Sequence, residues 1–542
     1  MKKRYLIGLL LELVVMSIIY YMALPAMNVH SSGFWAFTIF ALLLWGFIWT
    51  FIRLSLNLET CFVKNGRNYT FRKTSKGNKS FIPFLLVIVI VVGILIVNLF
   101  CSPFFNAKSY SRRIVVDETG DFIKDIKEVD FNSLPLLDRD SSEKLGDRVM
   151  GQMSDFVSQY YVSNQYTQIN YKNDIVRVTP LEYADFIKWI FNRGEGVKGY
   201  IKVNSVNGNT ELVKLEKGMK YMPSAYFNDN LYRKLRFKYP TKIFGEAKFE
   251  IDNEGKPFWI VPTYGYIGVE CKTKVTGVVI MDPVTGESKL YKMDKVPSWV
   301  DNAYNAELLI EQINNWGTYR DGFLNSIFGQ KNVVNTTTGY NYLAMDDDVY
   351  LYTGITSVLS DESNLGFILS NMRTGKTVFY SVPGAEEYSA MASAEGQVQQ
   401  MSYVSTFPLL INLNNKPTYL VSLKDAAGLV KMYGFIDVAD YQKVVVTDAS
   451  SGIIKASQNY LNKYADEISE SLLVTKTIKV KRISNAIING NTYYYITDSD
   501  DHRYKLSIEL SDTLAFVSVN DEINIGYYET DSSIIDVVKV IK

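Results

Sequence analysis

Residues 81–100 read FIPFLLVIVIVVGILIVNLF, twenty positions without one charged side chain. A helix rising 1.5 Å per residue needs about that length to cross ~30 Å of hydrocarbon. Two similar runs lie upstream. Residues 5–24 (YLIGLLLELVVMSIIYYMAL) are broken only by Glu12, and residues 34–52 (FWAFTIFALLLWGFIWTFI) carry Trp35, Trp45 and Trp49 and no charge. The first run has a basic start, Lys2-Lys3-Arg4, but lacks a small-residue cleavage site, and a second run follows nine residues later. It therefore reads as a span and not as a cleaved signal.

Loop charges orient the three spans. Lys2, Lys3 and Arg4 precede the first, residues 25–33 (PAMNVHSSG) hold no Lys or Arg, and residues 53–80 hold Arg53, Lys64, Arg67, Arg72, Lys73, Lys76 and Lys79. The positive-inside bias puts both basic segments in the cytoplasm, so the chain beyond about Cys101 is expected outside, on a multi-pass plasma-membrane protein. Glu12 is the single ionisable group inside these runs. It is a functional candidate by default, weighed against a carboxyl hydrogen-bonded to Ser17 or a neighbouring helix.

The rest of the composition limits the chemistry. At 542 residues and 61.7 kDa the chain exceeds one hydrophobic core, and 47% apolar residues exclude wholesale disorder. Lys+Arg and Asp+Glu tie at 57, yet the first hundred residues hold 10 basic and 2 acidic groups, which leaves the remainder acidic. An acidic bulk excludes a nucleic-acid-binding surface. Two His (His30, His502) and three Cys (Cys61, Cys101, Cys271) supply neither a His-based triad, nor a zinc module, nor a disulfide framework. No cofactor is expected.

Beyond the spans, residues 109–134 read as a polar stalk or leading strand. Residues 141–161 carry Leu145, Val149, Met153 and Val157 at helical spacing, and Thr179-Pro180 with Glu182 predicts another helix start in TPLEYADFIKWIF. Three stretches then align without gaps: GYIKVNSVNGNTELVKL from Gly199, GVVIMDPVTGESKLYKM from Gly277 and GFILSNMRTGKTVFYSV from Gly366. Each predicts a β-hairpin whose turn glycine (Gly208, Gly286, Gly375) supplies positive φ. Helical patterns follow, as in VPSWVDNAYNAELLIEQINNW and VPGAEEYSAMASAEGQVQQM. A second pair, FEIDNEGKPFWIV from Phe249 and LLINLNNKPTYLV from Leu409, shares Lys256-Pro257 and Lys416-Pro417.

A helix followed by strands that end in the hairpin MDPVTGESKLY resembles the PepSY-type module. The resemblance covers pieces of residues 180–460. It implies an extracytoplasmic α/β unit on an anchored protein, with a binding, peptidase-regulating or spacer role and no catalysis. The third hairpin has Asn371 and Lys376 where the second has Asp282 and Glu287, so no acidic site recurs. From Thr475 onward, short alternating strands separated by Asn489-Gly490, Asp-Ser-Asp-Asp and Asn-Asp turns predict a small closed barrel of OB or SH3-like type.

The expected fold class is α+β: a three-helix transmembrane region (1–104, basic loop 53–80), a first α+β unit (105–240), PepSY-like units (241–340 and 341–465) and a barrel (466–542). Candidate sites are few. Trp259, Tyr264 and Tyr266, with Tyr493 and Tyr495 on a barrel strand, are candidate binding aromatics, weighed against cross-strand packing. Asp346 and Asp348 could ligate Ca²⁺, although the D-x-D-x-D-G loop is missing and a solvated turn explains them. Asp498 and Asp500, beside His502, are the second cation candidate, again in a hairpin turn. The expectation is a non-enzymatic envelope binding or scaffold protein. Its partners are membrane lipid, other membrane or envelope proteins, wall polymer or a second copy of the chain. A carboxylate-dependent envelope hydrolase and a sensor or channel subunit using Glu12 are the alternatives.

Overall fold

The computed structural model describes residues 2–541 except 66–67, 72–80, 132–133, 173, 346, 359, 466–472, 489–490 and 529–532. Helices Lys2–Ala23, Ser32–Cys61 and Ile82–Cys101 are each long and apolar enough to cross a membrane. The second helix packs against both of the others, where small residues let backbones approach. A Cβ on Gly8 would meet Ile48 Cγ2 at 2.8 Å and Ile52 Cδ1 at 2.9 Å, and one on Gly46 would meet the Phe84 ring at 2.9 Å. The first helix thus packs on the second, and the second on the third.

The large domain is fastened to the ends of all three helices. Arg233 Nε donates to Tyr21 O (3.1 Å) and Arg236 Nε to Leu24 O (2.9 Å). Glu270 Oε1 accepts Ser32 N (2.9 Å) and Ser32 Oγ (2.7 Å), capping the second helix with a carboxylate where its macrodipole favours one. Asn98, near the end of the third, exchanges hydrogen bonds with the backbone of Val269 (2.9 and 3.2 Å). Tyr110 Oη donates to Cys101 O (3.1 Å) and Cys271 O (2.8 Å).

Four antiparallel sheets follow, each built on five strands with one pairing scheme: the third strand pairs with the first, second and fourth, and the fourth with the fifth. The first sheet holds Tyr160–Val162, Thr167–Tyr171, Asp174–Tyr183, Val197–Asn204 and Thr210–Met219; the second holds Ile243–Phe244, Lys248–Ile251, Pro257–Ile267, Lys272–Met281 and Ser288–Tyr291. The third holds Val334–Thr336, Asn341–Met345, Asp348–Ser357, Ser360–Asn371 and Thr377–Tyr380; the fourth holds Val404–Ser405, Leu409–Leu413, Lys416–Lys424, Val430–Asp437 and Val444–Asp448. Helices Arg139–Gly151, Leu231–Lys238, Ala306–Tyr319 and Glu387–Gly396 precede them in turn. The segment expected as a stalk or leading strand contributes Val116–Gly120, which pairs in parallel with Thr377–Tyr380 at the edge of the third sheet.

The three aligned hairpins form as their turn chemistry requires. Oδ1 of Asn204, Asp282 and Asn371 each accepts two backbone amides at 2.7–3.1 Å, and Gly208, Gly286 and Gly375 follow at φ 76°, 74° and 74°. At Gly286 a Cβ would also strike the Tyr221 ring at 2.5 Å. Asp437 repeats the two-amide turn with Ala439 and Asp440, but its loop runs on to Lys443 without a glycine.

Two helical expectations are corrected. Thr179 and Pro180 lie inside the strand Asp174–Tyr183, Pro180 opposite Tyr200, and the helix begins only at Phe186 behind the cap Asp185. Burial on both faces decides for strand there, because nine of its ten residues are buried. The helix expected over 141–161 stops at Gly151, and by Tyr160 the chain is a strand.

Sheets one and two share a core around Val178, Ile201, Phe249, Trp259 and Met281. Sheets three and four share another around Tyr352, Phe367, Tyr419 and Phe435. The C-terminal segment is a closed five-strand barrel: Val474–Ile488 pairs with both Asn491–Asp498 and Glu522–Tyr527, and Ile535–Ile541 closes the circle against Arg503–Ser507.

Candidate functional site

The buried strand Asp174–Tyr183 reads DIVRVTPLEY and carries one basic side chain in an apolar run, Arg177, which is 6% exposed. The neighbouring strand places Gln168 directly opposite, and Gln168 Oε1 accepts from Arg177 Nη2 at 2.7 Å. Nε of the same guanidinium has no hydrogen-bond partner, and among the described residues no carboxylate forms an ion pair with Arg177. Burial pushes the guanidinium down to about 10, which leaves it protonated at neutral pH.

Arg177 lines a cavity of about 580 Å³ to which all four sheets contribute. The first sheet supplies Tyr166, Thr167 and Gln168, the second Lys248, the third Tyr342 and the fourth Leu409 and Ser422. Thr167 Oγ1 and Gln168 Nε2 are, like Arg177 Nε, buried without a protein partner. Buried polar atoms are almost always satisfied in folded proteins, so three together on one wall mark a surface shaped for something else to bond. Tyr340 and Tyr342 form an aromatic corner with ring centroids 5.6 Å apart, and burial pushes both hydroxyls up.

Of the four acids that line the cavity, Asp138, Glu246 and Glu307 are engaged, and Asp140 is exposed. Asp138 caps the Arg139–Gly151 helix through Ser141 N (3.0 Å) and pairs with Lys424. Burial pushes its carboxyl up, but the hydrogen bonds from Lys424 and Ser141 outweigh burial and hold it below the usual carboxylate range. Glu246 pairs with Lys248 at 2.7 Å, and Glu307 Oε1 accepts the Tyr340 hydroxyl at 3.2 Å. The arrangement can hold a polar ligand with a negative or hydrogen-bond-accepting group. It presents no carboxyl freed for proton transfer among these three.

Of the candidate site residues read from the sequence, none of the described ones lines the cavity. Trp259 is fully buried in the shared core of the first two sheets, packs edge-on against Phe249 at 5.4 Å and donates Nε1–H to Tyr221 O at 3.0 Å. It offers no binding surface. Tyr264 and Tyr266 pack against each other at 6.3 Å near the end of the second sheet that meets the third apolar helix, and the Tyr264 hydroxyl rests on Gly245. Burial pushes the Tyr264 phenol up to about 12. Tyr493 and Tyr495 sit half-buried on the barrel, with Lys505 Nζ 4.6 Å from the Tyr493 ring centroid. Ser17 Oγ donates to Leu13 O at 2.7 Å, one turn back along the first helix.

Asp346 lies outside the described residues. Asp348 meets Arg373 side-on, with both oxygens 2.7 Å from guanidinium nitrogens, and also accepts from Asn371 Nδ2 at 2.8 Å. A guanidinium already stands where a cation would. Asp498, Asp500 and His502 do bring three ligand atoms within 4.8 Å of one another. Yet Lys476 Nζ lies 3.1 Å from Asp498 and 3.8 Å from Asp500, and Asp498 accepts the amides of Asp500 (3.0 Å) and His502 (2.9 Å). The carboxylate builds the turn, and the ammonium supplies its positive charge.

Sequence reasoning misses Arg177 because the helix start expected at Thr179-Pro180 falls in the second half of its strand and hides the strand as a whole. The signal was there: one Arg in the alternation-free run IVRVTPL, a pattern of two-sided burial in which an isolated charge needs a reason. No family model matches the chain, and no curated protein matches it. Among solved structures, an α-L-arabinofuranosidase from Lactobacillus brevis aligns at 6% identity over 70% of this chain and 95% of that one, with a TM-score of 0.15. An ACO/RPE65 chimera aligns at 8% identity over 68% of this chain and 59% of that one, with a TM-score of 0.13. Both overlaps are too slight to bear on fold or function.

Proposed function

We propose that the chain is a non-enzymatic, membrane-anchored binding or scaffold protein of the cell envelope, with everything beyond the third span outside the plasma membrane. In this reading the four sheets are copies of one PepSY-like module, the terminal barrel is of OB or SH3-like type, and the copies enclose the ligand. The common pairing scheme and the recurring two-amide turn support the modular reading. The basic segments at 2–4 and 53–80 support the orientation.

One observation carries the function: the central cavity of about 580 Å³ with the unpaired, buried Arg177 on its wall. A binding site is favoured over a hydrolase because glycosidase-type chemistry needs one carboxyl lifted and a second free. Here Asp138 is held low by Lys424 and Ser141, and Glu246 and Glu307 are engaged, so that of the four acids in the lining only Asp140 has no side-chain partner among the described residues, where that chemistry needs a pair. The ligand class that fits is a wall-polymer fragment or peptide bearing an acidic group, which would complete Arg177.

The test is thermal unfolding of the detergent-solubilised full-length protein with soluble wall fragments, acidic peptides and their amidated counterparts. An acidic ligand is expected to raise the midpoint of the wild type and not that of Arg177→Met. Equal shifts in both proteins, or none with any probe, would remove the cavity as the binding site.

A further inference from the structure

The second span packs against both of the others, and the domain above them carries two exposed apolar elements, one beside the end of the first span and one beside the end of the third. The first is the short helix Phe186–Asn192 (FIKWIFN), where Ile187, Ile190 and Phe191 are 55%, 42% and 81% exposed. It is tied to the end of the first span through Phe186 against Phe227 (6.2 Å) and Asn228 Oδ1, which accepts from Tyr21 Oη (3.2 Å). Phe237, also exposed, continues the surface onto Tyr20 and Tyr21 at 6.1 and 6.2 Å. The second is the segment Leu324, Ile327 and Phe328, where Phe328 is again 81% exposed. Its neighbour Phe323 packs on Phe104 at 5.2 Å, just past the third span, and Phe104 and Phe105 are themselves exposed.

We infer that these two elements are membrane feet: they rest in the leaflet from which the spans emerge and brace the large domain against tilting on the spans. The occupant is lipid because each apolar surface continues directly from a lipid-facing span. Lys188 and Arg193 flank the exposed rings of the first element; Arg193 pairs with Asp229 at 3.3 Å and lies 4.6 Å from the Trp189 ring centroid, which leaves Lys188 as the charge directed to the headgroups. Basic side chains beside buried aromatics are the pattern of an interfacial segment, whose charges reach the headgroups while its apolar face enters the acyl boundary. Three helices alone give a narrow base against rocking, and feet beside the first and the third widen it.

The inference rests on the membrane-spanning reading, and the experiment separates the two. The full-length protein, with its native cysteines replaced by serine, carries a nitroxide at one of four positions: Phe191→Cys, Phe328→Cys, Val92→Cys in the third span, or Val115→Cys, which is 84% exposed and leads into the domain. It is reconstituted in phosphatidylcholine–phosphatidylglycerol vesicles, and accessibility to oxygen and to a water-soluble nickel chelate is measured. Expected is an oxygen-to-nickel ratio at 191 and 328 several-fold above that at 115, and highest at 92. Water-like ratios at 191 and 328 with a deep label at 92 overturn the feet and leave the spans standing. A water-like label at 92 overturns both. Shielding from both reagents at 191 and 328 that vanishes on dilution in lipid assigns the surfaces to contact between copies and also overturns the inference.

Discussion

Replacing Arg177 by methionine separates a ligand-binding side chain from a structural keystone. The substitution keeps an unbranched stem and removes the charge. In the folded protein the guanidinium falls from 12.5 to about 10 through burial. At about 1.36 kcal/mol per pH unit, that fall corresponds to about 3 kcal/mol by which burial penalises the cation. Against it stands one hydrogen bond to Gln168 Oε1, whose loss leaves a buried acceptor unpaired at a cost of about 1–3 kcal/mol. The net expectation is a protein unchanged or stabilised by up to about 2 kcal/mol, with its ligand response abolished. Breaking a paired buried charge instead costs about 3–5 kcal/mol. Urea unfolding in detergent, followed by the emission of Trp189 and Trp259 in the same core, reads the difference. A loss of 3 kcal/mol or more on Arg177→Met would refute the reasoning, because the arginine would then be holding the sheets together.

Glu250 and Asp301 give the fold a pH dependence. Burial pushes Glu250 up to about 7 despite amides donated by Asp301 (2.9 Å) and Asn302 (2.8 Å), and burial together with the Glu250 charge pushes Asp301 well up. Because the folded state holds the proton longer, stability is complete below the ordinary Glu value of about 4.5 and declines as pH rises through about 7, by about 3 kcal/mol. Asp301→Asn is expected to flatten that decline in unfolding midpoints between pH 5 and 8; an unchanged slope contradicts the coupling. Cys101 and Cys271 flank Gly268, with Cys271 Sγ 3.0 Å and Cys101 Cβ 3.2 Å from where its Cβ would lie. Copper-phenanthroline oxidation is therefore expected to join them within one chain, as a mobility shift reversed by reductant, and no crosslink would mean that the domain is not docked on the third span. Asp348→Asn is expected to destabilise by about 3 kcal/mol through loss of the Arg373 pair, with no response of the wild type to calcium or chelator; stabilisation by calcium would restore the metal reading.

The three long apolar helices and the hairpins were legible because their signals are local. An apolar run of twenty residues has one stable arrangement in lipid, and an Asn or Asp followed four residues later by glycine closes one kind of turn, as Asn204, Asp282 and Asn371 do. The hairpin at Asp437 escaped because its loop is longer and lacks the glycine. Thr179-Pro180 misled because a capping pattern says nothing about burial on both faces of a strand. Trp259 misled because ring count does not tell core from surface, and its strand turns it inward between two sheets. The cavity was invisible for a different reason. Its walls come from residues 135 to 422, and no spacing rule places Arg177, Tyr342 and Ser422 around one space before the sheets are packed.

The central claim is that the chain is anchored by three spans with its bulk outside. A membrane-impermeant maleimide applied to intact cells tests it directly, in proteins otherwise free of cysteine. Val115→Cys, 84% exposed at the start of the domain, is expected to label in intact cells, while Lys64→Cys, in the basic segment, labels only after permeabilisation. Labelling of Lys64→Cys in intact cells, with Val115→Cys protected until the membrane is opened, would contradict it.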